Sequence, residues 1–419
     1  MRYSICLLIY FFQLFSLHFI FLPVRIRTVF AVVGIFVIYR NKKFIKIPKI
    51  YYLKWRFLWI LLFFLFIITL VSSVINSNFD SFFYRYPISI IMSFSSAYIY
   101  LMLIDKCYKK EIDAFFIKKL LVGACLMQCL ISLLMFIMPG LKDVLLSVLS
   151  MTELGAQSME SNVDNVRRLV SLGGGFFSCG TLLALGALLC ATLLVRSKKI
   201  EAIRHFVVLV MILVIGSMIA RTTLVGLFIA FAYVILETHS SIKHKLFIFL
   251  LVLLLSFLVI TIYFVYLEGD PVFGLAFERG FSLFYDYQQT GEFTGLESYA
   301  TNDIYPKTIK TWIIGDGLMS DPKDPDTSYY MGVDKGFLRL LFSLGLSGLF
   351  FYSLVQFSLC MLSSLTVLEV LLMFAAYAMF MFKGIFSFDI ILAPLIMMPI
   401  YLSIQRNKSN KYVKKNAEH

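Results

Sequence analysis

The sequence predicts an all-α, polytopic integral membrane protein of about twelve transmembrane helices with one large outer loop. Three observations carry that expectation. Of 419 residues, 60% are hydrophobic and only 15% charged, with 43 Phe and 23 Tyr. The mean hydropathy is +0.86, above that of ordinary soluble domains. Apolar segments long enough for transmembrane helices recur along the whole chain.

Taken in order, the expected spans are 4–22, 26–39, 57–75, 87–104, 120–138, 172–195, 206–220, 222–236, 246–266, 337–357, 366–382 and 385–403. Residues 1–22 imitate a signal peptide, but no small-x-small cleavage site follows and further apolar segments do, so a retained first span is expected. With both termini cytoplasmic, 24 of the 38 lysines and arginines fall on short inside segments, which satisfies the positive-inside rule. The net charge of +13 therefore sets topology and does not indicate nucleic acid. Arg25 and Arg27, in the first outer turn, are the local exception. The expected organisation is a single membrane domain over 1–419, with outer loops near 139–171 and 267–336 and a basic cytoplasmic tail at 404–419.

Several function classes are excluded by what the chain lacks. Its seven cysteines lie in apolar stretches without a Cys-x-x-Cys or neighbouring histidines, so neither a disulfide framework nor a zinc site is expected. No phosphate-binding glycine loop is present, so nucleotide energy is not handled here. Asp324-Pro325-Asp326 imitates a metal and sugar-nucleotide motif but reads as a turn, and neither metal nor cofactor is expected. None of the five histidines falls in an outer loop, so chemistry on that face would use a carboxylate as base.

The run GSMIARTTLVGL (216–227) places Arg221 inside an apolar stretch. An arginine at the bilayer centre costs at least about 2.5–3.5 kcal/mol, which makes it a functional candidate. Its flanks, RSKKIEAIR (196–204) and HSSIKHK (239–245), are both basic, so both belong inside. That geometry predicts a tight hairpin with Arg221 at the outer turn. Halves of about 15 residues give about 22 Å of helix against a core of about 30 Å, so the turn should be recessed.

In the first outer loop, SNVDNVRRLVSLGGGFF (161–177) puts Arg167 and Arg168 at the mouth of the sixth span. In the second, Phe273, Phe277, Phe281 and Phe284 recur at helical spacing, as in a helix lying on the membrane or packed over the bundle. The segment 310–352 is Gly-, Pro- and Asp-rich at its centre and carries Trp312, Tyr329 and Tyr330, which suit headgroup depth. Arg168, Arg221, Arg279 and Arg339 are the outer cations near the membrane. Guanidinium groups there suit phosphate or pyrophosphate, or else salt bridges and snorkelling. Asp389, near the outer end of the last span, is expected to pair with Lys383 or another outer cation.

Three stretches resemble the O-antigen polymerase family of bacterial inner membranes, which shares an architecture with O-antigen ligases. They are RRLVSLGGGFFSCGTLLALGAL (167–188), GSMIARTTLVGL, and WIIGDG…VDKGFLRLLFSLGLSGL (312–349). The resemblance implies a multi-pass protein that transfers a growing glycan from undecaprenyl pyrophosphate to a sugar hydroxyl of the next lipid-linked repeat unit, at the periplasmic face. In that reading Arg221 and Arg168 neutralise the leaving pyrophosphate, and Arg339 or Arg279 holds the second lipid's. Asp334 is the base, with Asp316 as its alternative, and Tyr329, Tyr330 and Trp312 hold sugars. The implied partners are lipid-linked oligosaccharides, membrane lipid, and a chain-length regulator and flippase of the same pathway. The Arg-x10-Gly spacing of some members is matched by none of the outer arginines. Ligases of this architecture carry a histidine where Asp334 stands, which favours polymerase over ligase. A lipid-linked oligosaccharide flippase would line a central cavity with basic residues, whereas the central spans here are nearly free of charge.

Overall fold

The structure, a computed structural model, describes residues 2–22, 24–80, 82–108, 112–149, 169–173, 175–237, 273–281 and 305–417, with 246, 250 and 287 singly. Its elements are α1 (Arg2–Phe15), α2 (Ile26–Asn41), α3 (Lys49–Asn76), α4 (Phe82–Tyr108), α5 (Ala114–Ile137), α6 (Pro139–Val148), α7 (Phe176–Arg196), α8 (Lys199–Ile219) and α9 (Leu224–Leu236). They continue with α10 (Phe273–Gly280), α11 (Ile309–Ile313), a hairpin of β1 (Ser320–Asp321) and β2 (Asp324–Tyr329), α12 (Gly336–Leu362), α13 (Val367–Met381) and α14 (Asp389–Ala417).

Among the described residues, seven helices are long and apolar enough to cross a membrane, and Arg2–Phe15, Arg221–Leu236 and Val367–Met381 are shorter apolar ones. The all-α, polytopic membrane architecture thus stands. The expected ninth span, 246–266, lies almost wholly outside the described residues. Several boundaries move. The first helix stops at Phe15 rather than 22, because Ser16 turns the backbone to φ +46°. Helices α3, α5 and α8 begin six to eight residues earlier than expected, since their basic flanks (Lys49, Lys118, Lys199) continue the helix. Basic residues at a helix end leave the backbone free to stay hydrogen-bonded past the apolar stretch. The basic tail is likewise no separate segment, being a continuation of α14 to Ala417.

The described residues gather into two compact units. Unit 1 holds α1–α4, the first turns of α5, and everything from α11 onward. Its helix ends sort into two groups. At one end Lys46 meets Ser403, Asn407 meets the Phe44 carbonyl, Asp105 meets Tyr401, and Lys118 is paired with Glu369, both buried. The start of α1 belongs there too, through Tyr3 to the Lys119 carbonyl, so the two terminal helices start and finish at this basic end. At the other end Ser72 meets the Ser343 carbonyl, Tyr86 meets Ser387, and Gln356 accepts from the Phe388 N–H. Helix α4 packs against α1, α2 and α14. Gly34 lets α2 approach the Ser95 backbone more closely than any side chain would permit.

Unit 2 holds the rest of α5 and α6–α10. Its centre is α7, buried along nearly its whole length by small and branched residues, Gly180 through Val195. Gly226 of α9 abuts the Ala184 backbone, and Gly216 of α8 abuts Leu183 and Thr223. Small residues at crossing points let helices approach closely in lipid, where dispersion drives association. Helix α10 is packed over its unit rather than laid out on lipid: Gly280 touches the Ser217–Met218 backbone, and the Phe273 ring meets Phe136 edge-on at 5.2 Å. Phe284 lies outside the described residues.

Candidate functional site

The non-basic end of unit 1 carries the last part of the large loop, fixed by an interlock between two glycine turns. Helix α12 is broken at Gly345, whose φ of +68° interrupts the helical ladder. Gly315 and Gly317 also have positive φ (+82° and +76°), a conformation that suits glycine. Gly315 lies against the Ser343 backbone and Gly345 against that of Ile313, so each turn fills the space a side chain on the other would need. The carbonyls freed near the break are taken up: Asp316 N–H bonds Phe342 O at 2.5 Å, and Gly317 N–H bonds Ser343 O at 3.0 Å.

The turn between α3 and α4, NSNFD (76–80), holds this loop with every second residue. Asn76 donates to Gly315 O (2.9 Å), Asn78 donates to Asp316 O (3.0 Å), and Asp80 Oδ2 accepts from the N–H groups of Met319 (3.0 Å) and Ser320 (3.4 Å). Asp80 Oδ1 also accepts from Phe82 N–H at the start of α4.

On this frame the expected residues separate into two kinds. Asp316 is tied into the loop frame: Oδ1 accepts from Thr311 (2.8 Å) and Oδ2 from the Tyr330 hydroxyl (3.4 Å). Partial burial, then the Asp316 charge, pushes the Tyr330 phenol above its ordinary pKa. Trp312 donates to Pro306 O (2.8 Å), lies parallel to Tyr305, and packs with Tyr330 on the cluster Val333, Leu338, Leu341 and Phe342. Arg339 and Asp334 are different. The Arg339 guanidinium sits 3.7 Å from the Tyr329 ring centroid, and its Nε is buried without a hydrogen-bond partner among the described residues. Stacking leaves Nε, an in-plane donor, to meet an anion. Asp334 pairs with Lys383 at 3.0 Å, both side chains more than half exposed. Lys383 is thus engaged with Asp334 and not with Asp389, which is buried and accepts from Ser93 (2.6 Å).

In unit 2, Arg221 opens a 3-10 turn, Arg221–Thr223, and is exposed. The turn is held by Thr223 Oγ1 and Ala220 N–H, both donating to Gly216 O (3.0 and 2.8 Å), and Gly180 of α7 faces Thr222 and Ala220. The hairpin is present, with halves of unequal length. Helix α8 has 21 residues, about 32 Å, and reaches across a bilayer by itself. The estimate of two equal short halves fails because 199–205, basic and polar in part, is helical. Arg168 lies outside the described residues; Arg279 is on α10, its side chain outside the description.

Asp324 and Asp326 stand in β2 rather than in an open turn. Sequence reasoning missed Asn76, Asn78 and Asp80, and it offered Lys383 to Asp389 rather than to Asp334. The alternation N-x-N-x-D directly after an apolar span was a usable signal for the first three, since side-chain amides and carboxylates there satisfy loop backbone. The chain matches no protein-family model, no curated protein and no solved structure.

Proposed function

We propose that the protein is a glycosyltransferase of the O-antigen polymerase type, extending a glycan carried on undecaprenyl pyrophosphate at the periplasmic face of a bacterial inner membrane. The observation that carries the reading is Arg339, a guanidinium stacked on Tyr329 with Nε buried and unmet, at the bundle end opposite the basic one. By the positive-inside rule the basic end is cytoplasmic, which puts both termini inside and Arg339 outside.

In the reaction the oxygen of an acceptor sugar hydroxyl bonds to the anomeric carbon of the growing chain. The bond from that carbon to the pyrophosphate oxygen breaks with its electron pair, and undecaprenyl pyrophosphate departs. The hydroxyl proton passes to a carboxylate, a role assigned to Asp334. Positive charge fixed beforehand where negative charge develops lowers the barrier. Arg221 and Arg168 are assigned to the donor pyrophosphate, and Arg339 or Arg279 to that of the acceptor lipid. Tyr329 orients Arg339, whereas Asp316, Tyr330 and Trp312 support the loop. The donor's phosphoester bond supplies the driving force.

The test is deletion of the gene followed by complementation, read as the lipopolysaccharide ladder on a gel. Deletion should leave one repeat unit on the core and no ladder. The wild-type gene should restore the ladder, and Arg339→Gln at normal protein level should not. Loss of every repeat unit would instead indicate a ligase or a flippase, and an intact ladder would reject the reading.

A further inference from the structure

Unit 1 buries a second polar cluster, which the outer-face chemistry does not use. Successive turns of α4 present Ser93, Ser96 and Tyr100, and three other helices bring polar groups to that stripe. Ser93 Oγ donates to Asp389 Oδ2 at the start of α14 (2.6 Å), and Ser96 Oγ donates to Gln13 Oε1 of α1 (3.3 Å). Arg27, the second residue of α2, stands one turn before Phe30, whose ring meets that of Tyr100 at 4.8 Å. Gln13 is fully buried, Tyr100 and Asp389 nearly so.

Most of the donors here are unmet. Arg27 Nη1, Gln13 Nε2 and the Tyr100 hydroxyl are all buried without a hydrogen-bond partner among the described residues. Reversing the Gln13 amide would only exchange which of its two atoms goes unmet. Native interiors leave few such groups, and clustered ones ask for an explanation. Charged groups buried among helices of a membrane protein mark function by default.

The geometry points to a binding site for neutral, hydroxyl-rich ligands, of which sugars are the chemical class. A hydroxyl both accepts and donates, so it suits a cluster that holds unmet donors, Arg27 and Gln13, as well as the Asp389 carboxylate. A phosphate would meet the Asp389 carboxylate, and an ammonium would meet Arg27. The place also suits a ligand that comes from the membrane surface. Helices α1 and α2, with 14 and 16 residues, span only about 21 and 24 Å, so their turn stops short of a core about 30 Å thick. Val24 in that turn is an exposed apolar residue, as befits lipid rather than water. Arg27 is half-buried, so the cluster reaches the surface along it. This assignment stands apart from the outer-face reading, because it rests on other residues.

The experiment is saturation-transfer NMR on the full chain in a detergent without sugar headgroups. The probes are glucose, galactose and N-acetylglucosamine, with glucuronate and glucose 6-phosphate as charged controls. Neutral sugars should receive saturation from the wild type and from Arg339→Gln. Their apparent affinity should fall about tenfold or more in Gln13→Leu and Asp389→Asn, as when a ligand hydroxyl loses a partner in a desolvated site. Melting temperatures control for folding, and Gln13→Leu, close in volume, decides if Asp389→Asn is unstable. No transfer from the wild type, or undiminished transfer in Gln13→Leu, overturns the proposal. So does loss of transfer in Arg339→Gln alone, which would send the sugars to the outer end. The lipopolysaccharide ladder tests the outer reading separately.

Discussion

Two helical hairpins of this protein each carry an arginine at the turn, and they are built in opposite ways. In unit 2, Arg221 follows a full-length helix and is exposed, with the turn pinned by Thr223 and Gly216. In unit 1, Arg27 follows a short helix, and its Nη1 is buried without a hydrogen-bond partner among the described residues. Basic flanks on both sides predict the outer side for the Arg221 turn, whereas Arg27 is itself the exception to the charge rule in its turn. Depth is a different quantity, set by how many residues each helix actually takes up.

The sharpest way to break this comparison is to remove one charge at a time. A buried charge deprived of its counter-charge costs about 3–5 kcal/mol, whereas replacing both members with apolar residues is close to neutral. Arg27→Leu and Asp389→Leu should therefore each lower thermal stability strongly, and the double variant should recover most of it. Purified variants compared by melting temperature in one detergent give the answer. Equal losses in the single and double variants would show that the two groups do not interact.

A second comparison concerns how each hairpin docks. Gly34 of α2 meets the Ser95 backbone and Gly226 of α9 meets that of Ala184, so neither neighbour can move aside as a flexible side chain would. Gly34→Val and Gly226→Val should each cost about 1–3 kcal/mol through overpacking. A melting temperature unchanged by either would mean that its helix sits further from its neighbour than described.

What could be read in advance follows from the range of the forces involved. The apolar periods and basic flanks placed most described helices and the turn at 220, because lipid exposure and backbone hydrogen bonding act locally. The break at Gly345 was hidden, since GFLRLLFSLGLSGL reads as one continuous span. Its positive φ goes with close approach to the Ile313 backbone, 32 residues earlier in sequence. Asp316 looked catalytic as the acid of a Gly-Asp-Gly turn, yet its oxygens are committed to Thr311 and Tyr330. Arg339 stayed a candidate, but nothing local in VDKGFLRLL foretold that Tyr329 would lie over it. Arg27 looked like an exception to a topology rule because nothing local in the sequence showed that its Nη1 would be buried.

Arg221 is where the comparison separates activity from stability. As an exposed turn residue its truncation should change stability by no more than about 0.5 kcal/mol. Under the proposed chemistry Arg221→Ala should nonetheless abolish chain extension at normal protein levels. Retained ladder with normal levels would leave Arg221 a structural turn residue and break the functional half of the contrast with Arg27.

The smallest effect on folding is expected at Asp334. Its ion pair with Lys383 is exposed on both sides, and such pairs contribute about 0–1 kcal/mol, so Asp334→Asn and Lys383→Gln should both melt close to the wild type. Their activities should differ. If Asp334 accepts the acceptor proton, its loss costs about 10²–10⁴-fold in extension rate, the usual worth of a positioned base. Lys383→Gln removes the pair yet leaves the carboxylate in place, so it should keep most activity. In vitro extension of a purified lipid-linked repeat unit measures both. Equal impairment of the two variants would assign the pair, rather than the carboxylate, to the site, and would move the search for the base elsewhere on the loop.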